Sequence, residues 1–190
     1  MIGPLRIIDF LDTAARKEIA AEMRAAGGGS ATVYGKDPAG AIDSLVRKTT
    51  RLTVSARTSD RVVRLLLEGK AAVEQHFGGA LAECEPPQFL RYVTGDYFVA
   101  HQDGNTPLIF DDSRFRKVSI VILLSRKAAE PEAGSYGGGA LLVHGTYAEP
   151  YRRFELDAEP GTLVAFPAET THEVTPVTHG ERYTIVSWYR

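Results

Sequence analysis

At 190 residues, with 44% apolar and 24% charged side chains, the chain is long enough to bury one continuous core and has ordinary globular composition. Its net charge of −2 argues against a polyanion or an acidic membrane surface recognised by bulk charge, and its single cysteine, Cys84, rules out an internal disulfide. The longest apolar run, Val118 to Leu124, is broken by Ser119 and too short to cross a bilayer, and the first residues lack the basic-then-apolar pattern of a secretory leader. A reducing, cytoplasmic setting is therefore expected, with neither nucleic acid nor membrane as partner.

In chain order, "RIIDF" is a short strand candidate. Asp12 then sits where an N-cap belongs, ahead of "TAARKEIAAEMRAAG", in which Ala15, Ile19 and Met23 share a helical face and Gly27 supplies a stop. A second helix is predicted from Ser59 or Asp60, carried by Val62, Leu66, Val73 and Phe77 and ended by Gly78-Gly79. Between the helices, residues 27–58 are Gly-rich and then carry strand-like pieces without clear boundaries.

From Pro86 the pattern changes to short alternating runs separated by Gly, Pro, Asp and Asn. The candidates are "QFLRYVT", "DYFVAHQD", "KVSIVILLS", "GALLVHG", "RRFELDA", "GTLVAFP", "THEVTPV" and "RYTIVSWY", eight strands that predict a jelly roll. The expected organisation is a single mainly β domain over 1–190, with helical support in 1–85 and the roll in 86–190. "SRKAAEPEAGSYGGG" reads as a loop.

The chemistry concentrates in "YFVAHQDGNTP". Residues two apart on a strand share a face, so Tyr97, Val99, His101 and Asp103 point the same way if the strand reaches that far. Alone, a His-x-Asp triplet is common, and a strand-end histidine beside a turn-forming aspartate explains it equally well. The second half of the chain adds His172 after the Pro167 break and Arg182 at the start of the last strand. A hairpin turning at His179-Gly180 would bring these two together. Two neutral imidazoles and one carboxylate form the three-ligand face that suits non-haem Fe(II) with open positions, whereas structural zinc prefers four closed ligands.

Arg182 then has an electrostatic task. Fe(II) with two histidines and one aspartate carries about +1 and a dicarboxylate such as 2-oxoglutarate about −2, so one fixed cation closes the balance. Thr184 on the same strand face, and Tyr92 on the strand before His101, can add hydroxyls to that carboxylate. Each also has a plainer reading: a surface ion pair for the arginine, a core ring with its hydroxyl at the rim for the tyrosine.

With these residues in view, the chain resembles the Fe(II)- and 2-oxoglutarate-dependent dioxygenases, most nearly the prolyl 4-hydroxylase-like branch. The resemblance lies in "RYVTGDYFVAHQDGNTP", "RKVSIVILLS", "YGGGALLVHG" and "EPGTLVAFPAETTHEVTPVTHGERYTIVSWY", and more loosely in the first helix. It implies a double-stranded β-helix with the metal in its mouth, iron held by His101, Asp103 and His172, and 2-oxoglutarate held by Arg182 with Tyr92 and Thr184. It also implies dioxygen as oxidant, with ascorbate as an accessory reductant in such enzymes, and hydroxylation of a peptidyl, prolyl included, or small-molecule C–H bond with release of succinate and CO2. Many prolyl hydroxylases have lysine where Arg182 stands, which loosens the tie to proline. Asp103 is expected to favour hydroxylation, since related halogenases carry a small residue there. The competing reading from another class is a non-catalytic jelly-roll sensor that binds metal or 2-oxoglutarate; a cupin-like metalloenzyme would leave Arg182 idle.

Other residues weigh less. Gly137 to Gly139 lack a following P-loop lysine and read as a strand entering close to a neighbouring backbone, with Tyr136, by the resemblance, near the substrate entrance. His76, His144 and His179 read as surface or turn residues, and Cys84 between two glutamates as unreactive. Substrate choice is expected from "GNTPLIFDDSRFRK" and "SRKAAEPEAGSY", where Arg114 and Arg116 either meet an anionic substrate group or are solvated loop charges. Trp188, at even spacing from Arg182, is expected to line the inner wall.

Overall fold

The Asp12 carboxylate accepts from the Ala15 amide at 2.7 Å and opens helix α1 (Thr13–Ala25), whose Ala15, Ile19, Ala20 and Met23 are buried. The structure is a computed structural model that describes residues 3–32, 43–107, 109–145 and 152–190. Helix α1 ends at Ala26 in extended conformation, one residue before the expected glycine stop. Helix α2 (Ala56–Phe77) starts earlier than its apolar spacing predicts, because Ser55 rather than Ser59 or Asp60 is its cap. The Ser55 hydroxyl accepts from the Thr58 amide at 3.3 Å, and Glu22 of α1 accepts from the Ser55 amide at 2.5 Å. Gly78 closes α2 in the left-handed region (φ 70°) that a side chain would resist.

The strands are β1 (Leu5–Ile7), β2 (Gly28–Ser30), β3 (Arg47–Lys48), β4 (Thr50–Leu52), β5 (Gln88–Tyr92), β6 (Tyr97–His101), β7 (Val118–Leu123), β8 (Arg126–Lys127), β9 (Ser135–Gly138), β10 (Leu141–His144), β11 (Arg153–Glu155), β12 (Leu163–Pro167), β13 (His172–Val174), β14 (Val177–Gly180) and β15 (Arg182–Tyr189). They form a seven-stranded sheet in the order β1-β12-β7-β15-β5-β4-β2, a five-stranded sheet β11-β10-β13-β6-β3, and a three-stranded sheet β14-β9-β8. Every pairing is antiparallel except β8 with β9.

The period of two along each strand divides the large sheet into two faces. Phe89, Leu163, Ala165 and Ile185 pack with Ile19, Met23, Val62 and Leu66 of the helices in one apolar cluster. Leu90, Val121, Val164 and Phe166, on the opposite face, meet Leu141, Val174 and Val177 in a second. The helices thus cover the outside of the large sheet, and the inside is left to the roll. No described helix is long and apolar enough to cross a membrane.

Three expectations need correction. The predicted loop at 125–139 contains β8 and β9, strands too short and too glycine-rich to show an alternating pattern. "THEVTPV" is not one strand: Thr175-Pro176 breaks it into β13 and β14, which belong to different sheets. His179 and Gly180 therefore end a strand paired with β9 instead of turning a hairpin. The glycines at 137–138 do permit the close approach expected of them, since a Cβ on Gly138 would collide with the Pro176 carbonyl. Residues 33–42, in the poorly bounded segment between the helices, and Leu108, in the first rim loop, lie outside the described residues.

A candidate metal centre and cosubstrate pocket

His101 closes β6 and His172 opens β13, and the two are direct partners in the antiparallel ladder. Asp103 follows two residues later. Its amide and that of Gly104 both donate to the Ala168 carbonyl, at 2.9 and 3.1 Å. Gly104 lies against the 3-10 turn Asp112–Phe115, where a Cβ would strike the Ser113 carbonyl and the Arg116 side chain. This anchored turn places the Asp103 oxygens 3.5 Å from His101 Nε2 and 3.5 Å from His172 Nε2. The three donor atoms lie within 4.8 Å of one another. Donors at right angles about 2.1 Å from one ion stand about 3 Å apart, so a divalent ion requires only a small closing movement.

The imidazoles are oriented for ligation. His101 Nδ1 is 2.8 Å from the Val99 carbonyl and His172 Nδ1 is 2.9 Å from the Thr170 carbonyl. A carbonyl only accepts, so each Nδ1 carries the proton and each Nε2 offers its lone pair to the ion. Ser119 Oγ donates to Asp103 Oδ2 at 2.7 Å, while Phe98 stacks on His101 at 3.5 Å and Phe166 meets His172 edge-on at 4.8 Å. Burial alone would raise the Asp103 pKa. His172 and His101 and the Ser119 hydrogen bond outweigh it and hold the carboxyl far below its ordinary range. Burial, reinforced by His101, pushes His172 down to about 4, against the pull of Asp103. At neutral pH His172 is therefore a neutral imidazole beside an ionised Asp103, and two imidazoles with one carboxylate are the donor types that suit Fe(II).

Arg182 approaches from the other sheet. It pairs with Tyr92 across the β15–β5 ladder and is 2% exposed. Its guanidinium lies 5.2 Å from the Tyr92 ring and 6.0 Å from the Tyr136 ring, with Thr184 Oγ1 at 3.4 Å. Its Nε is buried without a hydrogen-bond partner, and no carboxylate pairs with it among the described residues. A buried guanidinium without counter-ion is costly, so this arrangement suits an anion from outside the chain. Arg182, Thr184, Val186 and Trp188 line a cavity of about 420 Å³ together with Tyr92, His101, Asp103 and His172. The two sheets thus bring Arg182 and His172 to one cavity without the predicted hairpin.

Other expectations meet different fates. Tyr136 is buried, its ring 6.0 Å from the Arg182 guanidinium. Arg116 is not a solvated loop charge: it is 8% exposed, forms two bonds to Glu85 at 2.9 and 2.7 Å, and lies 3.7 Å over the Trp188 ring. Arg114 is exposed beside Phe115. His144 faces Glu173 at 3.2 Å, His76 faces the Gly3 carbonyl at 2.8 Å, and half-buried His179 covers Gly137. Burial raises the Cys84 thiol pKa, in keeping with an unreactive cysteine. Sequence reasoning passed over Ser119 as a partner of Asp103; a hydroxyl interrupting an otherwise apolar buried strand was its signal.

The profile of the 2OG-Fe(II) oxygenase superfamily matches residues 87–190. The chain is 31% identical over 174 residues to a PKHD-type hydroxylase of Paracoccus denitrificans, covering 90% of this chain and 72% of that protein. It is 34% identical over 159 residues to one of Burkholderia ambifaria, covering 82% and 66%. Among solved structures, a Pseudomonas putida prolyl-4-hydroxylase superposes with a TM-score of 0.73 at 22% identity, covering 100% of this chain and 93% of that one. A Trichoplax adhaerens prolyl hydroxylase, solved with a hypoxia inducible factor peptide fragment, gives 0.74 at 16%, covering 100% and 84%. The chain spans roughly two thirds of the Burkholderia relative's length, and the two structural likenesses establish the shared jelly-roll fold. By its matching profile and its PKHD-type hydroxylase relatives, this chain belongs to the 2OG-Fe(II) oxygenase superfamily.

Proposed function

We propose that residues 1–190 form one catalytic domain, a 2-oxoglutarate-dependent dioxygenase that hydroxylates an unactivated C–H bond of a peptidyl or small-molecule substrate. In this reading His101, Asp103 and His172 hold Fe(II), and Arg182 binds the distal carboxylate of 2-oxoglutarate beside Thr184 and Tyr92. The observation that carries it is Arg182: a buried cation with an unpartnered Nε, sharing one cavity with the three donor groups. The peptide-bound prolyl hydroxylase among the structural neighbours supports the peptidyl arm.

When bound, Fe(II) and 2-oxoglutarate supply the oxidising power, with dioxygen consumed and succinate and CO2 released. The protein's share is placement. The carbonyls of Val99 and Thr170 fix the imidazole tautomers, Ser119 and the Ala168 carbonyl fix Asp103, and Arg182 sets the cosubstrate's direction. Apolar walls, among them Leu90, Val121, Val174 and Trp188, exclude water from the reacting groups.

The test is spectroscopic. Anaerobic addition of Fe(II) and 2-oxoglutarate should produce a weak visible charge-transfer band, and His172→Ala should abolish it. Admission of air should then release succinate even without a primary substrate. A protein that forms no band is not a dioxygenase of this kind, and one that forms the band but never releases succinate is a sensor.

A further inference from the structure

A second arginine in the cavity has no counter-ion among the described residues. Arg47 lies on β3 beside Phe98, is 8% exposed and lines the same cavity as the three donor groups. Its guanidinium sits 4.8 Å from the Phe98 ring, and Phe98 stacks on His101. The cation is therefore one aromatic ring removed from a proposed iron ligand. One terminal nitrogen donates to the Thr32 carbonyl at 3.0 Å. Its Nε is buried without a partner, and no carboxylate among the described residues pairs with it.

Charge counting gives this residue a role. The cavity is lined by Arg47, Arg116 and Arg182, with Asp103 its lining carboxylate. Arg116 is paired with Glu85, which also accepts from Arg190, a residue outside the cavity lining. Asp103, Arg182, Fe(II) and 2-oxoglutarate sum to about zero, by the same arithmetic that gives Arg182 its task. Arg47 leaves about one positive charge in a wall that also carries neutral polar side chains such as Gln88 and Gln102 and whose apolar part includes Val46, Leu90, Phe98 and Ile109. Leaving a buried guanidinium unpaired is costly, and its planar fork fits a carboxylate. A single fork of charge about +1 balances a monoanion rather than a phosphate dianion.

We propose that Arg47 determines specificity for the primary substrate, an apolar molecule bearing a carboxylate. The carboxylate binds Arg47, and the apolar part presents its C–H bond toward the metal side of the cavity. This inference rests on the reading of the site as an iron and 2-oxoglutarate centre. A free carboxylic acid and an acidic side chain in an apolar peptide share this chemistry, and the test separates them.

The protein is loaded with Mn(II) and 2-oxoglutarate, which gives a complex that does not turn over. Its paramagnetism broadens the proton resonances of a ligand bound near the metal. The first arm compares N-acetyl-leucine with N-acetyl-leucinamide, and the second compares the blocked dipeptides Ac-Leu-Asp-NH2 and Ac-Leu-Asn-NH2. In at least one arm the acid should bind at least ten-fold more tightly than its amide, and that arm identifies the source of the carboxylate. R47Q should reduce the acid to the amide's level while 2-oxoglutarate affinity stays within two-fold, and R47K should retain part of the preference. Equal binding of acid and amide in both arms, no broadening in either, or a preference that survives in R47Q overturns the proposal. Absence of the Fe(II)–2-oxoglutarate band in the wild-type protein is the separate failure of the underlying reading; a normal band without acid preference overturns the role of Arg47 alone.

Discussion

His101 and His172 face each other directly across the β6–β13 ladder, their ring centroids 4.2 Å apart. Their separation is therefore set by backbone register, and each ring is turned by a carbonyl two residues earlier in the chain. His101→Ala and His172→Ala should each weaken Mn(II) binding by more than the about 10–100-fold typical of losing an outer partner. Titration of free Mn(II) by electron paramagnetic resonance measures this. Near-native affinity in either variant would remove that histidine from the metal site.

Ser119 provides a graded comparison. Its hydroxyl donates to Asp103 Oδ2 from the second position of β7, a strand buried along its whole length. Ser119→Ala should weaken Mn(II) by about 10–100-fold and cost about 1.5–3 kcal/mol in urea unfolding of the metal-free protein, the range for a hydrogen bond to a charged group. The split between the two measurements is the informative result. A loss confined to stability would mean that Ser119 holds the strand and not the carboxylate.

The difference between what was legible and what was not has a physical pattern. The near-continuous apolar runs of β7 and β12 follow from burial on both faces of one sheet, and that pattern is local. The even spacing of Arg182, Thr184 and Trp188 likewise places them on one wall, and all three line the cavity. Which strands become neighbours is decided by the rest of the molecule. Within "THEVTPVTHGERY" Pro176 marks the break, but nothing there signals that the chain next pairs with β9 and then enters another sheet at Arg182. Arg116 looked like a loop charge because Glu85, its partner, lies 31 residues away. Arg47 was obscured for a similar reason: β3 has two residues, and its ring partner Phe98 is on another strand.

Arg182 can be tested apart from the metal. Truncating one partner of a buried charge pair costs about 2–5 kcal/mol, so Arg182→Ala should lower 2-oxoglutarate affinity by a factor on the order of 100 or more. Mn(II) affinity should hardly change, since no donor atom is touched. Arg182→Lys should recover only part, because an ammonium lacks the fork that binds a carboxylate at two points. Calorimetric titration of 2-oxoglutarate into the Mn(II) protein measures both. Equal affinities in wild type and Arg182→Ala would place the cosubstrate elsewhere.

Two glycines predict opposite outcomes for the same substitution. A Cβ at Gly104 would meet the Ser113 carbonyl and the Arg116 backbone, neither of which can swing aside, whereas one at Gly29 would meet nothing within 4 Å. Gly104→Ala should cost about 1–3 kcal/mol and weaken Mn(II) binding, since it displaces the turn carrying Asp103. Gly29→Ala should be close to neutral. Urea unfolding with and without Mn(II) checks the pair, and a neutral Gly104→Ala would show that this turn does not need its close packing.

The metal-free protein should lose stability in mild acid through His172. Burial holds this imidazole down to about 4 in the folded chain, against about 6.5 when unfolded. Between those values the unfolded chain binds a proton that the folded chain refuses, so unfolding becomes easier as pH falls through that window. The contribution is fully present above about pH 6.5 and is lost as pH falls to about 4, amounting to about 3 kcal/mol. Asp103 adds to this slope only below about pH 5, where the unfolded carboxyl begins to bind a proton that the folded one, held far below the ordinary range by the histidines and Ser119, refuses. Urea unfolding with a chelator at a series of pH values from 7 to 4.5 measures the effect, and His172→Gln isolates it by removing the titrating ring. The same pH dependence in wild type and variant would mean that His172 is solvated and titrates freely in the folded chain.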